Sequence, residues 1–104
     1  MTDRELLELA AKAAGIEADS WSDDHQCLFT THGPYPNEYR KWNPLTDDGD
    51  ALRLAVKLEL HVLVGLAQTP DGDIHVDKDM ADPYAATRRA IVRAAAEIGR
   101  TKER

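Results

Sequence analysis

Residues 41–60 read KWNPLTDDGDALRLAVKLEL. Pro44 biases Asn43 away from helical backbone. Thr46 or Asp47 can then serve as an N-cap, and Asp47, Asp48 and Asp50 fall beside the positive end of the helix dipole. Ala51, Leu54, Ala55 and Leu58 follow at helical spacing, which predicts a helix over 47–58. Capping alone accounts for every acid in this knot, so no ligand is needed to explain it. Near Leu60 the period changes. Leu60, Val62 and Val64 alternate with His61, Leu63 and Gly65, which predicts one half-buried strand over 60–66.

Working outward, TPDGD (69–73) is a turn in which Pro70 presets one backbone angle and Gly72 supplies a positive one. Ile74 and Val76 alternate on a return strand over 73–77. Asp82 and Pro83 have the cap-then-proline order of a helix start. A helix is expected over 83–100, with Tyr84, Ile91, Ala95 and Ile98 on one face. Upstream, QCLFTT reads as a strand over 26–31. HGPYPN breaks it, because Gly33, Pro34 and Pro36 cannot continue a ladder. EYRKW reads as a strand over 38–42. Polar residues 17–26 read as loop, anchored by Trp21. Thr2 and Glu5 have capping-box spacing at the head of a helix over 3–14, with Leu6, Leu9, Ala10 and Ala13 as its apolar stripe. Gly15 suits its left-handed end, with Ile16 packing back. The expected fold is α+β, an α/β/α-type sandwich in the order α-β-β-α-β-β-α. It has three helices on one layer of about four mainly antiparallel strands.

The totals agree with one domain over 1–104. The chain is 42% apolar and 31% charged, an ordinary globular balance. No apolar run approaches the ~20 residues that span a bilayer. The N-terminus lacks the apolar core of a signal peptide, so the expected address is the cytoplasm. Cys27 is the only cysteine, which excludes an internal disulfide and a thiolate-rich zinc site. A net charge of −6 argues against nucleic acid as a partner for the whole surface. The charge is uneven: residues 1–24 hold seven acids and two bases, and residues 88–104 six bases and two acids.

Several constellations invite chemistry. Asp71, Asp73, His75, Asp77, Asp79 and Asp82 fall at offsets 1, 3, 5, 7, 9 and 12 of an EF-hand loop. Val76 stands where that loop needs glycine, Asp82 where it needs glutamate, and a strand precedes it where a helix is required. An edge hairpin with acids on its solvent face explains the pattern better. His25 and Cys27 share strand spacing, but a metal would need His32, His61 or His75 to converge on them. No GxSxG, phosphate loop or HExxH is present, so neither an enzyme nor a cofactor is indicated. Cys27 in an apolar strand reads as packing. Arg89, Arg93, Arg100 and Arg104 lie within about 60 degrees of one another on the last helix. They read as a solvated face, with anion binding as the alternative. Tyr35, Tyr39 and Trp42, half of the chain's six aromatics, sit in a proline-stiffened segment and are candidate partner-binding residues. Covering the end of the sheet is their equally physical use.

These features together resemble the phage ABA-sandwich domain of small bacteriophage and prophage proteins. Trp42, Asn43, Pro44, Thr46 and Asp47 match its central WNPSTD-like motif, with Leu45 in place of a small residue. The amphipathic N-terminal helix and the alanine-rich ending DPYAATRRAIVRAAAEIG extend the resemblance over most of the chain. It implies a helix-flanked sheet and a phage or prophage origin, and it carries no catalytic residue. The expected function is that of an accessory protein that binds a host or phage protein. Small inhibitors of host defence belong to this class. The alternative is a small-ligand or nucleotide-binding module, and a hydrolase built on Cys27 or a histidine cluster ranks last.

Overall fold

The computed structural model describes residues 1–31 and 39–102. Three helices form where capping and periodicity place them. Helix α1 spans Asp3–Ala14, α2 spans Asp48–Lys57 and α3 spans Pro83–Thr101. Each starts on a side-chain cap: Thr2 accepts from the Glu5 amide, Asp47 from Asp50 and Asp82 from Ala85. Gly15, at φ +70, ends α1 in the left-handed conformation that glycine adopts without strain.

Six strands form two antiparallel sheets, where one sheet of four strands was expected. In the first, β1 (Ala18–Ser22), β2 (Cys27–Thr31) and β3 (Tyr39–Trp42) lie in chain order. Strand β1 falls in the segment read as loop. Its sequence, ADSWS, has no apolar alternation, so it is held through its backbone pairing with β2 and one aromatic anchor. Trp21 packs at the margin of the core, donates its indole N–H to Asp23 at 2.8 Å, and lies under the Arg4 guanidinium. The HGPYPN break lies outside the described residues.

The second sheet orders β4 (His61–Leu63), β5 (Leu66–Gln68) and β6 (Ile74–Val76). The single strand expected over 60–66 is instead a hairpin that turns at Val64 and Gly65. Gly65, at φ +71, supplies the corner. Its N–H donates to the Thr87 hydroxyl at 2.9 Å, and its carbonyl accepts from Asp77 at 2.9 Å. Side-chain alternation did not reveal this turn: the corner shifts the phase by one residue, so that Leu63 and Leu66 share a face, but Leu63, Val64 and Leu66 are all apolar and no polar residue marks the shift.

The layering is also inverted from expectation. The first sheet rests on α1, the second on α3, and α1 and α3 pack extensively on each other. Helices α1 and α3 occupy the middle and the sheets the flanks, with α2 packed on α3. Small residues explain this. Ala10, Ala11, Ala13 and Ala14 on α1 and Ala90, Ala94, Ala95 and Ala96 on α3 are all buried. At Gly99 the helices come so close that a side-chain carbon would meet the Leu9 backbone carbonyl. The alanine-rich ending is therefore a close-packing surface between helices. Leu7, Leu28, Trp42, Leu54, Ile91 and Val92 fill the rest of the core.

Asn43 joins the parts. Its side-chain amide donates to the Gln26 carbonyl at 2.7 Å, and its amide oxygen accepts from Leu45 N–H at 2.9 Å. Its backbone N–H donates to Asp50, and its carbonyl accepts from the Asp47 amide. The β1–β2 turn, the bend after β3 and the first turn of α2 thus meet on one residue. Pro44 beside it is fully buried. The acids of the knot are all engaged: Asp47 caps, Asp50 binds Asn43 and Arg53, and Asp48 pairs with Arg88 at 2.6 Å. Arg88 also donates to the Leu45 carbonyl at 2.8 Å, which ties this bend to α3.

Candidate partner-binding surface

The second sheet is built to be thin. Its register sets Val62, Ala67 and His75 in one cross-strand row. Ala67, the centre of that row, is fully buried, and the sheet meets α3 there. Strand alternation sends Leu63, Leu66, Ile74 and Val76 to the other face. No described element covers that face: Leu63, Ile74 and Val76 are exposed, and Leu66 is half-buried.

The apolar exposure continues around the edge. Between α2 and β4 runs a groove of about 600 Å³, floored by the first turns of α3. Leu52, Val62, Val64, Tyr84 and Ile91 give it an apolar lining. Leu52, Val56, Leu63, Val64 and Tyr84 are each at least 65% exposed. Among the described residues, nine of the ten exposed large apolar side chains fall between Leu52 and Tyr84; Met1 is the tenth. Scattered apolar residues are normal on a surface, whereas a concentration of them marks an interaction site.

Charge is concentrated in the same part of the chain. Residues 43–82, between β3 and α3, hold nine of the nineteen acids and three of the thirteen bases. Ten of each remain elsewhere, so the whole formal charge of −6 resides in this segment. Arg88, Arg89 and Arg93 reach into it from α3 and lower the local balance to −3.

The residues singled out by sequence have varied positions. Trp42 is buried in the core and offers no surface. Tyr39 lies in β3 by its backbone, and its side chain is outside what is described. Tyr35 and Arg104 lie outside the described residues. The arginine stripe is occupied within the fold. Arg89 pairs with Asp3 at 3.2 Å and approaches Asp77 at 3.8 Å, while Arg93 approaches Asp77 at 3.9 Å and donates to the Val76 carbonyl. Arg100 pairs with Glu97 on its own helix at 2.6 Å. Arg89 and Arg93 thus seat the second sheet on α3 and shield the outer edge of β6.

The EF-hand-spaced residues are divided along β6 and the following turn. Asp77 faces the two arginines, Asp79 accepts from Ala81 N–H, and Asp82 caps α3. Among the described residues no group of three or more His, Cys, Asp or Glu is placed to hold a metal ion. No described helix is long and apolar enough to cross a membrane. Cys27 is buried, and burial pushes its thiol pKa up, outweighing Lys41 and the Trp42 backbone, which act to lower it. That is the reverse of the shift that activates a nucleophile. His75 is the one buried polar exception: its Nε2 meets no hydrogen-bond partner among the described residues.

A second, polar cleft of about 500 Å³ lies between the end of α1, β3 and α2. Arg40, Lys41, Arg53 and Lys57 line it together with Asp47 and Asp50. Arg53 is engaged with Asp50 at 2.7 Å.

Sequence reasoning missed the groove because its walls come from three separate elements. The available signal was the run Val62-Leu63-Val64, in which neighbouring residues that point to opposite faces are all apolar; among the described residues a cover lies on one face of this sheet. No family model, no curated protein and no solved structure matches this chain.

Proposed function

We propose that the protein acts by binding another protein through the groove and the apolar face of its second half. One observation carries this reading: the exposed large apolar side chains are concentrated on residues 52–84. Burying a single aromatic anchor such as Tyr84 can contribute about 2 kcal/mol or more to a complex. Of the candidate partner-binding residues Tyr35, Tyr39 and Trp42, the last is not available as an anchor, since its ring is core. In this reading the chain is a small accessory protein of a bacteriophage or prophage that engages a host or phage protein in the host cytoplasm; its layering, with α1 and α3 between two sheets, departs from the helix-flanked sheet that the ABA-sandwich resemblance implies. The origin and family rest on the resemblance of residues 42–47 and of the two terminal helices.

The test is comparative capture from bacterial lysate. Wild-type protein should retain a specific protein that the Leu52→Glu and Tyr84→Ser variants lose, while Lys41→Glu, on the first sheet, keeps it. Equal capture by all four would sink the reading.

The polar cleft supports a second reading, a small anion-binding module. Arg40 and Lys57 line it and make no ion pair with described residues. Titration with pyrophosphate decides it: a shift of Arg40 and Lys57 resonances, abolished in Arg40→Ala, favours this reading over the first.

A further inference from the structure

We infer that the polar cleft between the end of α1, β3 and α2 takes a small organic phosphate, a phosphate monoester carried on an aromatic body. This rests on the anion-binding reading above and names its ligand. It is independent of the protein-binding groove.

The first observation is which charges the cleft has left to offer. Trp42 faces the core, so strand alternation sends Arg40 to the same, helix-facing side of β3, opposite buried Thr30 on β2. Lys41 falls on the other side of the sheet, beside Cys27, and is not counted. Arg53 and Lys57, one helical turn apart, line the facing wall from α2. These three cations meet two acids, Asp47 and Asp50, which leaves a local balance of +1 on a chain of −6. Both acids are engaged already. Asp50 is 13% exposed and accepts from Asn43 N–H at 3.0 Å and from Arg53 at 2.7 Å. Asp47 caps α2 and lies 3.9 Å from Arg53. Gly49 leaves room for this arrangement: a side-chain carbon there would stand 3.2 Å from both the Arg53 guanidinium and the Asp47 carboxylate. The acids thus hold Arg53 in place, while Arg40 and Lys57 are exposed and make no ion pair with described residues.

The second observation is the kind of group these two cations present. Arg40 offers a planar fork from the sheet, and Lys57 a point charge from the helix. A phosphate monoester carries about −1.5 to −2 charge at neutral pH and has three acceptor oxygens, enough for both walls at once. A carboxylate, with one charge and two oxygens, is filled by the fork alone.

The third observation selects the body. The cleft holds about 500 Å³, within the roughly 300–1,000 Å³ of sites that take a whole organic ligand. A bare phosphate would leave most of that space to water, at about 30 Å³ a molecule. The remaining lining is Ile16, Trp42 and Leu54, with the methylene stems of Arg53 and Lys57. Its neutral polar side-chain groups are few: the Thr30 hydroxyl, directed at the Arg40 carbonyl 3.5 Å away, and the indole N–H of Trp42. A hydroxyl-rich body such as a sugar would give up its hydration there for few partners. An aromatic body has little hydration to lose and gains from an arginine over its face.

The test is calorimetric titration of the full chain at neutral pH with naphthyl phosphate as the probe. Inorganic phosphate, glucose phosphate, naphthoate and naphthol are the comparisons. Naphthyl phosphate should bind saturably and about tenfold or more tightly than each of the four. Arg40→Ala and Lys57→Ala should each weaken it by about tenfold, the usual loss when a hydrogen bond to a charged group is removed. Lys78→Ala, beyond β6 on the second sheet, should leave it unchanged. All three side chains are exposed, so circular dichroism should show each variant folded. Equal binding of inorganic phosphate or of glucose phosphate overturns the aromatic body and leaves the anion-binding reading standing. Equal binding of naphthoate overturns phosphate as the head group, and equal binding of naphthol overturns an ionic site. Undiminished binding by the Arg40→Ala and Lys57→Ala variants would put the ligand outside this cleft and overturn the inference. If no anion binds saturably, the anion-binding reading falls and this inference with it.

Discussion

On the first sheet, Leu28 and Trp42 face the helices and are 2% and 6% exposed; on the second, Leu63 and Ile74 face water at 68% and 58%. Both sheets have three antiparallel strands, and both rest on one helix. They differ in which residues look inward. The first sheet sends its large side chains into the core. The second sends Val62, Ala67 and His75 inward and leaves Leu63, Ile74 and Val76 exposed on its outer face. A sheet that places its largest apolar groups in water contributes little burial to the monomer. That difference separates a sheet that supplies large side chains to the core from one that leaves them exposed.

The largest expected effect lies on the first sheet. Trp42→Ala should cost about 3–5 kcal/mol, the usual range for emptying an aromatic core position. Urea denaturation followed by circular dichroism measures it. A cost near that of a surface change would mean that the first half is not the stability core, and the contrast between the sheets would collapse.

Next is the helix pair between them. Gly99→Ala places a methyl group against the Leu9 backbone carbonyl, and backbone cannot move aside as a flexible side chain can. Overpacking of this kind costs about 1–3 kcal/mol, whereas alanine at an exposed helix position would stabilise by about 1 kcal/mol through propensity. The sign of the change in melting temperature therefore decides whether α1 and α3 are in close contact. A rise would place the helices farther apart.

A smaller effect belongs to the clasp between the halves. Asp47→Ala removes the N-cap of α2 and should cost about 1 kcal/mol, and adding Thr46→Ala should bring the loss to about 1–2 kcal/mol. Thr46 contributes through its contact with the Asn43 carbonyl at 3.5 Å, not as the cap itself. If the double variant matches wild type, the knot has another role, and a metal-dependent rise in melting temperature would identify it.

How legible these halves were differs by element and for physical reasons. Helices declare themselves locally: Thr2, Asp47, Asp82, Pro83 and Gly15 each solve a hydrogen-bonding problem at one end, and the expected ranges lie within a residue or so of the observed ones. Strand β1 was illegible because backbone pairing, not side-chain pattern, holds it. The β4–β5 turn was illegible because Gly65 sits in an apolar run where glycine also fits a strand. The inverted layering depends on how closely two alanine faces approach, which no periodicity reports. At the candidate site, helical spacing puts Tyr84 on one face with Ile91 and Ala95, yet Tyr84 is 72% exposed while those two are buried; it lies in the first turn of α3, where it lines the groove. The arginines were read as a solvated stripe. Their partner Asp77 lies in a distant segment that only the fold brings beside them.

The smallest expected effect on stability tests the other side of the comparison. Leu63→Ser and Ile74→Ser together should change stability by no more than about 0.5 kcal/mol, the range for surface sites that engage no special feature. Both side chains lie on the uncovered face, so little apolar area returns to water when they are shortened. The same double variant should lose capture of the partner, because burying a large apolar side chain in a complex is worth about 1.5–3 kcal/mol each. Serine also suits a strand less well than either residue it replaces, and that opposes the small gain from removing exposed apolar groups. A variant that is as stable as wild type and no longer binds would assign these residues to the complex instead of the fold. A variant that loses several kcal/mol would show that the outer face is covered within the monomer itself. The second sheet would then belong to the core, and the division between a folding half and a binding half would be withdrawn.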